Sequence, residues 1–181
     1  MTGFAHPAPH PLSTERLSLT DLVDSDFALT YVMDTNDEVM RYIGGAEMRL
    51  FDDYHAFITQ RLSLWIGPQF HMWAMRLHGS EHFLGWAMIK PIRDTPHVEV
   101  GYRMLPSSWA KGYATEATRA VLAYGFNVAG FDEITAVTHP DNAASQHVLA
   151  KCGLTRDGTL NYNGGGEIPF FRLTKHDYEK R

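Results

Sequence analysis

The stretch from Val98 to Ala117, VEVGYRMLPSSWAKGYATEA, holds the residues best suited to chemistry. An alternating strand runs through Pro106 and two serines into the loop Trp109-Ala110-Lys111-Gly112-Tyr113-Ala114, which opens directly into a helix. Ala117, Ala120, Val121, Tyr124 and Val128 follow at helical spacing and share one face. The first amides of a helix have no intrahelical partner, so such a loop offers N–H groups to an anion. Gly112 and Ala114 are small enough for a phosphate to approach the backbone, and Lys111 adds a cation beside it. On physical grounds this is a phosphate cradle; on the same grounds it is a strand–loop–helix junction of the kind that carries no ligand. It is neither a P-loop nor a dinucleotide fingerprint, because G-x-x-x-x-G-K-[ST] and G-x-G-x-x-G are both absent.

A second group lies upstream. Glu99 sits between Val98 and Val100, so strand alternation sends its side chain to the sheet face opposite theirs. A carboxylate there attracts a cationic amine and can take its proton. From position alone the plainer reading, an exposed strand carboxylate or a salt-bridge partner, is the better one.

The elements that must position these groups read in order as follows. Arg16-Leu17-Ser18-Leu19 alternates as a first strand, and Asp24 or Asp26 caps a helix through about Met33. A loop continues to Gly44-Gly45, and a second helix from about Asp52 to Leu64 carries Tyr54, Phe57, Ile58, Leu62 and Trp65 as a stripe. His71 to Leu77 and Phe83 to Ile89 form a hairpin, followed by the central strand. Glu133 to Thr138 is a further strand, and Asn142 starts a helix with Ser145, Val148, Leu149 and Cys152 on one side, stopped by Gly153. Leu154 to Leu160 and Ile168 to Thr174 close the chain as an antiparallel pair. The pattern is α/β with a mixed sheet. Residues 1–12, with Pro7, Pro9 and Pro11 alternating with His6 and His10, read as an extended arm, either flexible or used in packing between subunits of a homodimer. Residues 13–181 make one domain.

Bulk properties set limits. At 181 residues the chain supports one domain with a real core. A net charge of −5 and a pI near 6.0 argue against a general nucleic-acid binder. No apolar run reaches membrane-spanning length, and no signal peptide opens the chain. The single cysteine, Cys152, cannot form an internal disulfide, which makes a reducing cytoplasm the expected compartment. His78 and His82 are separated by a Gly-Ser turn, so the ten histidines carry no metal reading. Cys152 reads as core; Trp65, Phe70, Trp73 and Trp86 could line an acceptor pocket, but at these spacings core is the plainer reading.

The loop resembles the pyrophosphate-binding segment of the GNAT N-acetyltransferase superfamily, Q/R-x-x-G-x-G/A. Trp109 in the first position, with G-Y-A-T-E-A after it, is similar to the RimJ/RimL-type branch, which acetylates N-terminal amines of ribosomal proteins. Ala110 stands where that branch usually has Gly. Three further segments fit in the same order: Thr14-Glu15-Arg16-Leu17, Asp37-Glu38-Val39-Met40-Arg41-Tyr42-Ile43-Gly44, and His139-Pro140-Asp141-Asn142-Ala143-Ala144-Ser145. The resemblance covers about Ser13 to Thr174.

It implies a mostly antiparallel sheet flanked by helices, whose central strands, here about 98–105 and 133–139, splay to admit acetyl-CoA. Ala110, Lys111, Gly112, Tyr113, Ala114 and Thr115 would hold the pyrophosphate. Backbone groups of Arg103, Met104 and Leu105 would pair with the pantetheine arm, and the Asn142 side chain would bind that arm as well as capping its helix. Glu99 would face the amine acceptor, a protein N-terminus or a small molecule, as general base. Many members place a tyrosine acid four positions after Ser145, but that position is Leu149; Ser145 or solvent remains as donor to the departing thiolate. Glu116, in the first helical turn, must point away from the phosphates. The expected function is amine acetylation by direct attack in a ternary complex. A non-catalytic acyl-CoA-binding sensor is the alternative that the missing tyrosine keeps open.

Overall fold

The computed structural model describes residues 11–43, 54–56, 58–60 and 69–181. Its strands are β1 (Leu12–Ser13), β2 (Leu17–Asp21), β3 (His71–Leu77), β4 (Phe83–Pro91), β5 (Val98–Met104), β6 (Glu133–Val137), β7 (Thr155–Asn161) and β8 (Glu167–Thr174). They form one sheet in the order β1-β2-β3-β4-β5-β6-β8-β7. The β5–β6 pair is parallel and every other neighbouring pair is antiparallel. A parallel pair needs a crossover. Here it is α3 (Tyr113–Asn127); the other helices are α1 (Asp24–Asp34), α2 (Asp37–Met40), α4 (Ala143–Lys151) and α5 (Lys175–Glu179). This is the mixed, mostly antiparallel α/β architecture expected from the sequence.

β5 and β6 meet in register at a single pair, Glu99 with Thr135. Beyond it the C-terminal half of β5 has β4 on one side and a gap on the other. The opposite edge of β5 is held close: at Gly85, with φ 146°, a Cβ would lie 2.1 Å from the Arg103 carbonyl. Only glycine lets β4 approach so closely.

The two sheet faces are both covered. On one, Val100 and Met104 pack against Ala117, Val121 and Leu122 of α3 and Leu149 of α4. On the other, Met33 and Val39 from α1 and α2 meet Ala74, Phe83 and Trp86. Each such aliphatic side chain contributes about 1.5–3 kcal/mol by leaving water. Trp73 and Cys152 are core, as their patterning suggested.

Several local readings change. Asp26 serves the start of α1 by accepting the Val23 N–H at 3.0 Å. The segment expected as a loop contains α2, because Asn36 Oδ1 accepts from the amides of Glu38 and Val39 at 2.9 and 3.1 Å. A cap of this kind forms a turn that apolar periodicity does not show. Val128 follows the end of α3 and is exposed, so the apolar face is one residue position shorter than expected. α5 follows Thr174, whose hydroxyl accepts the Asp177 N–H. Of the helix expected from Asp52 to Leu64, residues 54–56 and 58–60 are helical, with Tyr54 and Ile58 buried against Phe27. Its remainder, including Trp65 just beyond, and arm residues 1–10 lie outside the described residues.

Candidate active site

A cleft of about 450 Å³ opens at the gap beside β5. Its walls come from Tyr102 to Met104 on β5, the loop and first turn of α3, Asn142 and one side of α4 as far as Lys151, and Glu38, Val39 and residues 41–43 at and after α2. Three of the segments singled out in the sequence therefore meet at one cavity.

The loop owes its shape to two left-handed residues, Ala110 at φ 60° and Gly112 at φ 82°. Gly112 is the N-cap of α3 and supplies no side-chain cap. Among the described residues, the amides from Ala110 to Thr115 donate to no backbone carbonyl. They sit at the positive end of a fifteen-residue helix and line the cleft at 110 and 112–115. That is an anion cradle. The Lys111 ammonium is directed elsewhere, donating to the Ser107 carbonyl at 2.8 Å, and the residue does not line the cleft. Cations do line it: Arg41, Arg103 and Lys151.

The Thr14–Leu17 segment braces this loop from behind. The Glu116 carboxylate accepts from the Thr14 hydroxyl, from the Arg16 amide at 2.8 Å and from Arg16 Nε at 2.7 Å. Arg16 Nη1 donates to the Lys111 carbonyl at 3.0 Å, and its guanidinium lies 4.8 Å from the centre of the Tyr113 ring. Glu116 thus faces away from the cradle, as the charge argument required. Burial pushes its pKa up, but the bonds from Thr14 and Arg16 outweigh that and hold it below the ordinary value.

β5 presents two kinds of residue. Val98, Val100, Tyr102 and Met104 turn their backbone groups toward β6 or the gap, as shown by the Thr135 hydroxyl donating to the Val98 carbonyl and Trp109 Nε1 donating to the Met104 carbonyl. Leu105 turns its amide to β4, where it donates to the Leu84 carbonyl at 3.0 Å. Arg103 lines the cleft with its guanidinium paired to Asp34 and stacked 5.0 Å from the Trp86 ring. On α4, Asn142 Oδ1 accepts the Ser145 N–H at 3.0 Å, and both residues line the cleft. Tyr102 lines the same cleft from β5, and burial pushes its phenol pKa up.

A family model for the acetyltransferase (GNAT) domain matches residues 16–155. The chain belongs to the GNAT acetyltransferase family. The enzyme is 31% identical over 169 residues to FsC-acetyl coenzyme A-N(2)-transacetylase of Aspergillus fumigatus, covering 88% of this chain and 70% of that one. It is 29% identical over 150 residues to the uncharacterized N-acetyltransferase YoaA of Bacillus subtilis, covering 82% and 85%. The solved structure of spermidine N-acetyltransferase from Vibrio cholerae, in complex with CoA and spermine, shares the fold: the TM-score is 0.75 at 16% identity, covering 90% of this chain and 98% of that one. As an N-acetyltransferase, the enzyme takes acetyl-CoA as its co-substrate.

The cleft fits that molecule. Unspent loop amides suit a pyrophosphate, and the open edge of β5 suits an amide-bearing arm added like a strand. The Ser108 hydroxyl, buried in the cleft wall, has no partner among the described residues. Acetyl-CoA brings an activated acetyl thioester; the protein supplies the groups that bind and orient it.

Glu99 does not line the cleft. It is 2% exposed, pairs with the Lys90 ammonium across the β4–β5 ladder, and accepts from the Tyr162 hydroxyl at 2.7 Å. Lys90 in turn donates to the Tyr162 hydroxyl at 3.4 Å. The carboxylate is therefore a salt-bridge partner, one of the two plainer readings from position alone, but buried rather than exposed, on the face opposite Tyr102. Tyr102 and Ser108 line the cleft without having been singled out from the sequence. Alternation would have placed Tyr102 on the gap-facing side with Val100, but nothing local indicates that Ser145 lies opposite it. Among the described residues no group of three or more His, Cys, Asp or Glu is placed to hold a metal ion, and no helix is long and apolar enough to cross a membrane.

Proposed function

We propose that the enzyme transfers the acetyl group to a primary amine, on a protein N-terminus or a small molecule, by direct attack in a ternary complex. The observation that carries the reading is the cradle of unspent amides at the end of a strand whose edge is open. The four sequence segments that resemble the RimJ/RimL-like branch support placing it there, and the reducing cytoplasm suits its buried, unpaired Cys152.

In this reading the amides of Ala110 to Thr115 hold the pyrophosphate. The Met104 amide and the Tyr102 backbone are offered to the pantetheine arm, whereas the Met104 carbonyl is committed to Trp109 Nε1 and the Leu105 amide to β4. Asn142 keeps its amide N–H groups for the arm, since its oxygen caps α4. Ser145 donates toward the sulfur. Glu99 would take the proton of the acceptor amine only by giving up its pairing with Lys90 and Tyr162, because it is buried outside the cleft wall.

Calorimetric titration with acetyl-CoA and with CoA tests the core of the proposal on wild type and Gly112→Glu. Binding by wild type and its loss in the variant are expected, because a side chain at φ 82° strains the loop and its Cβ meets Arg16 Nη2 at 3.3 Å, displacing the amides of the cradle. Equal binding by both would refute the placement of the phosphates, and no binding by either would sink the reading. Once an amine screen has found an acceptor, Glu99→Gln should lose activity, and so should Glu99→Gln with Lys90→Met. The double variant removes the lone buried ammonium, whose isolation alone costs about 3–5 kcal/mol. Activity restored in it would reduce Glu99 to a structural partner of Lys90.

A further inference from the structure

The cleft is walled from both faces of the sheet. α3 and α4 bring the cradle and Asn142 to it from the face where Val100 and Met104 pack. α2 and the residues after it come from the other face, where Val39 packs with Met33 and Trp86. A co-substrate held by its phosphates on the first face leaves the second for the acceptor. Two charged side chains stand there. Glu38 and Arg41 are exposed, line the cleft, and have no ion pair or side-chain hydrogen bond among the described residues. Glu38 is the one carboxylate among the described residues of the cleft wall. Arg103, on the same face, is already paired with Asp34. Exposed charges on a turn are ordinarily just solvated, but this turn is pinned along its length. Asn36 Oδ1 accepts the Glu38 and Val39 amides, Val39 is buried between the two charged residues, and the Tyr42 ring lies 5.3 Å from the ring of His139, three residues before Asn142. Residues three apart on a helical turn are surface neighbours, with Cβ atoms about 5–6 Å from one another. A fixed anion and a fixed cation thus sit side by side on the acceptor side of the cleft.

We infer that Glu38 and Arg41 recognise the acceptor as a zwitterion, a small molecule of the free amino acid class whose amine and carboxylate lie close together. This rests on the acetyltransferase reading of the cleft. Glu38 draws in the amine as its ammonium ion, and the planar fork of Arg41 takes both oxygens of the carboxylate. The two groups of an α-amino acid are attached to one carbon, so a single molecule reaches both side chains of the turn. The same pair works against other amines. A protein N-terminus has an amide where the carboxylate would be and leaves Arg41 unanswered. A polyamine sets a second cation against it.

The experiment follows thiol release from acetyl-CoA with each of the common amino acids, each amino acid's carboxamide, and 1,4-diaminobutane as acceptors. At least one free amino acid is expected to turn over with kcat/KM about tenfold or more above its own carboxamide. Arg41→Gln should bring that ratio to within about twofold of unity, and Arg41→Lys should keep part of it, because a point charge lacks the fork. Glu38→Gln should lower kcat/KM for acid and carboxamide alike by about fivefold or more. All three variants should bind acetyl-CoA within about threefold of wild type in calorimetry, since the phosphates lie on the other face. Carboxamides or the diamine turned over as well as the free acids overturn the inference, as does acetyl-CoA binding with no amino acid turned over. An acid-to-carboxamide ratio in Arg41→Gln equal to wild type overturns it, and so does an unchanged kcat/KM in Glu38→Gln. Loss of acetyl-CoA affinity in Arg41→Gln also overturns it, by assigning the arginine to the phosphates. Failure of wild type to bind acetyl-CoA would instead strike the acetyltransferase reading itself.

Discussion

Glu116→Gln removes a charge from the brace behind the cradle while keeping the side chain's shape. The carboxylate accepts hydrogen bonds from Thr14 and from the backbone and guanidinium of Arg16, with the ion pair at 2.6 Å. Bonds to a charged group are worth about 1.5–3 kcal/mol each, against about 1 for neutral ones. Arg16 is 44% exposed in its side chain, which reduces the ion pair itself to about 0–1 kcal/mol. A negative charge in the first turn of α3 adds about 0.3–1 kcal/mol through the helix dipole. Together the loss at pH 7 comes to about 1–2 kcal/mol, which for a chain of this size lowers Tm by about 2–8 °C. Scanning calorimetry measures it directly. Because the folded-state pKa of Glu116 lies below its ordinary value, its stabilisation is fully present above that ordinary value and fades as pH falls through the folded one. The gap between wild type and variant should therefore close on acidification. A gap under about 1 °C at pH 7, or one that persists unchanged once Glu116 is protonated, would refute the argument that this carboxylate braces the loop through its charge.

Two other outcomes follow from the loop and its surroundings. Ala110 holds φ 60°, a conformation that costs a residue with a Cβ about 1–2 kcal/mol. Ala110→Gly should relieve it, partly offset by about 0.4–1 kcal/mol of added unfolded-chain entropy, and thermal melts should show an unchanged or slightly raised Tm; a fall would contradict the strain. Burial pushes the Cys152 thiol up to about 11, and its Sγ donates to the Thr115 carbonyl. The native protein should therefore resist a thiol-specific reagent at pH 8 while the denatured chain reacts at once, and equal rates would show that the thiol is open to solvent.

Much of this enzyme was legible in one dimension. The hairpin from His71, the central strand, the cradle and its helix, and the closing pair follow from periods of two and 3.6 and from Gly and Pro punctuation, since these features depend on near neighbours. Asn142 as a helix cap was equally visible. α2 and α5 were not, because each is a short turn held by one capping side chain rather than by an apolar stripe. Lys111 looked like a cation for the cradle, yet its rotamer is decided by the Ser107 carbonyl, and no spacing rule foresees that choice.

Residue types and local spacing determined an α/β chain with a mixed sheet and a small-residue loop opening α3, and the resemblance of four segments to a known family pointed to the acetyltransferase fold. Tertiary structure alone decided which side chains share a space. It paired Glu99 with Lys90 and Tyr162, residues nine and sixty-three positions away, in an interior where an unpaired carboxylate would cost several kcal/mol. It brought Tyr102 and Ser145 to the walls of one cleft because β5 and β6 part after one registered pair. Contacts of that range arise from how the sheet splays and how its helices cover it, and no stretch of sequence read by itself contains either.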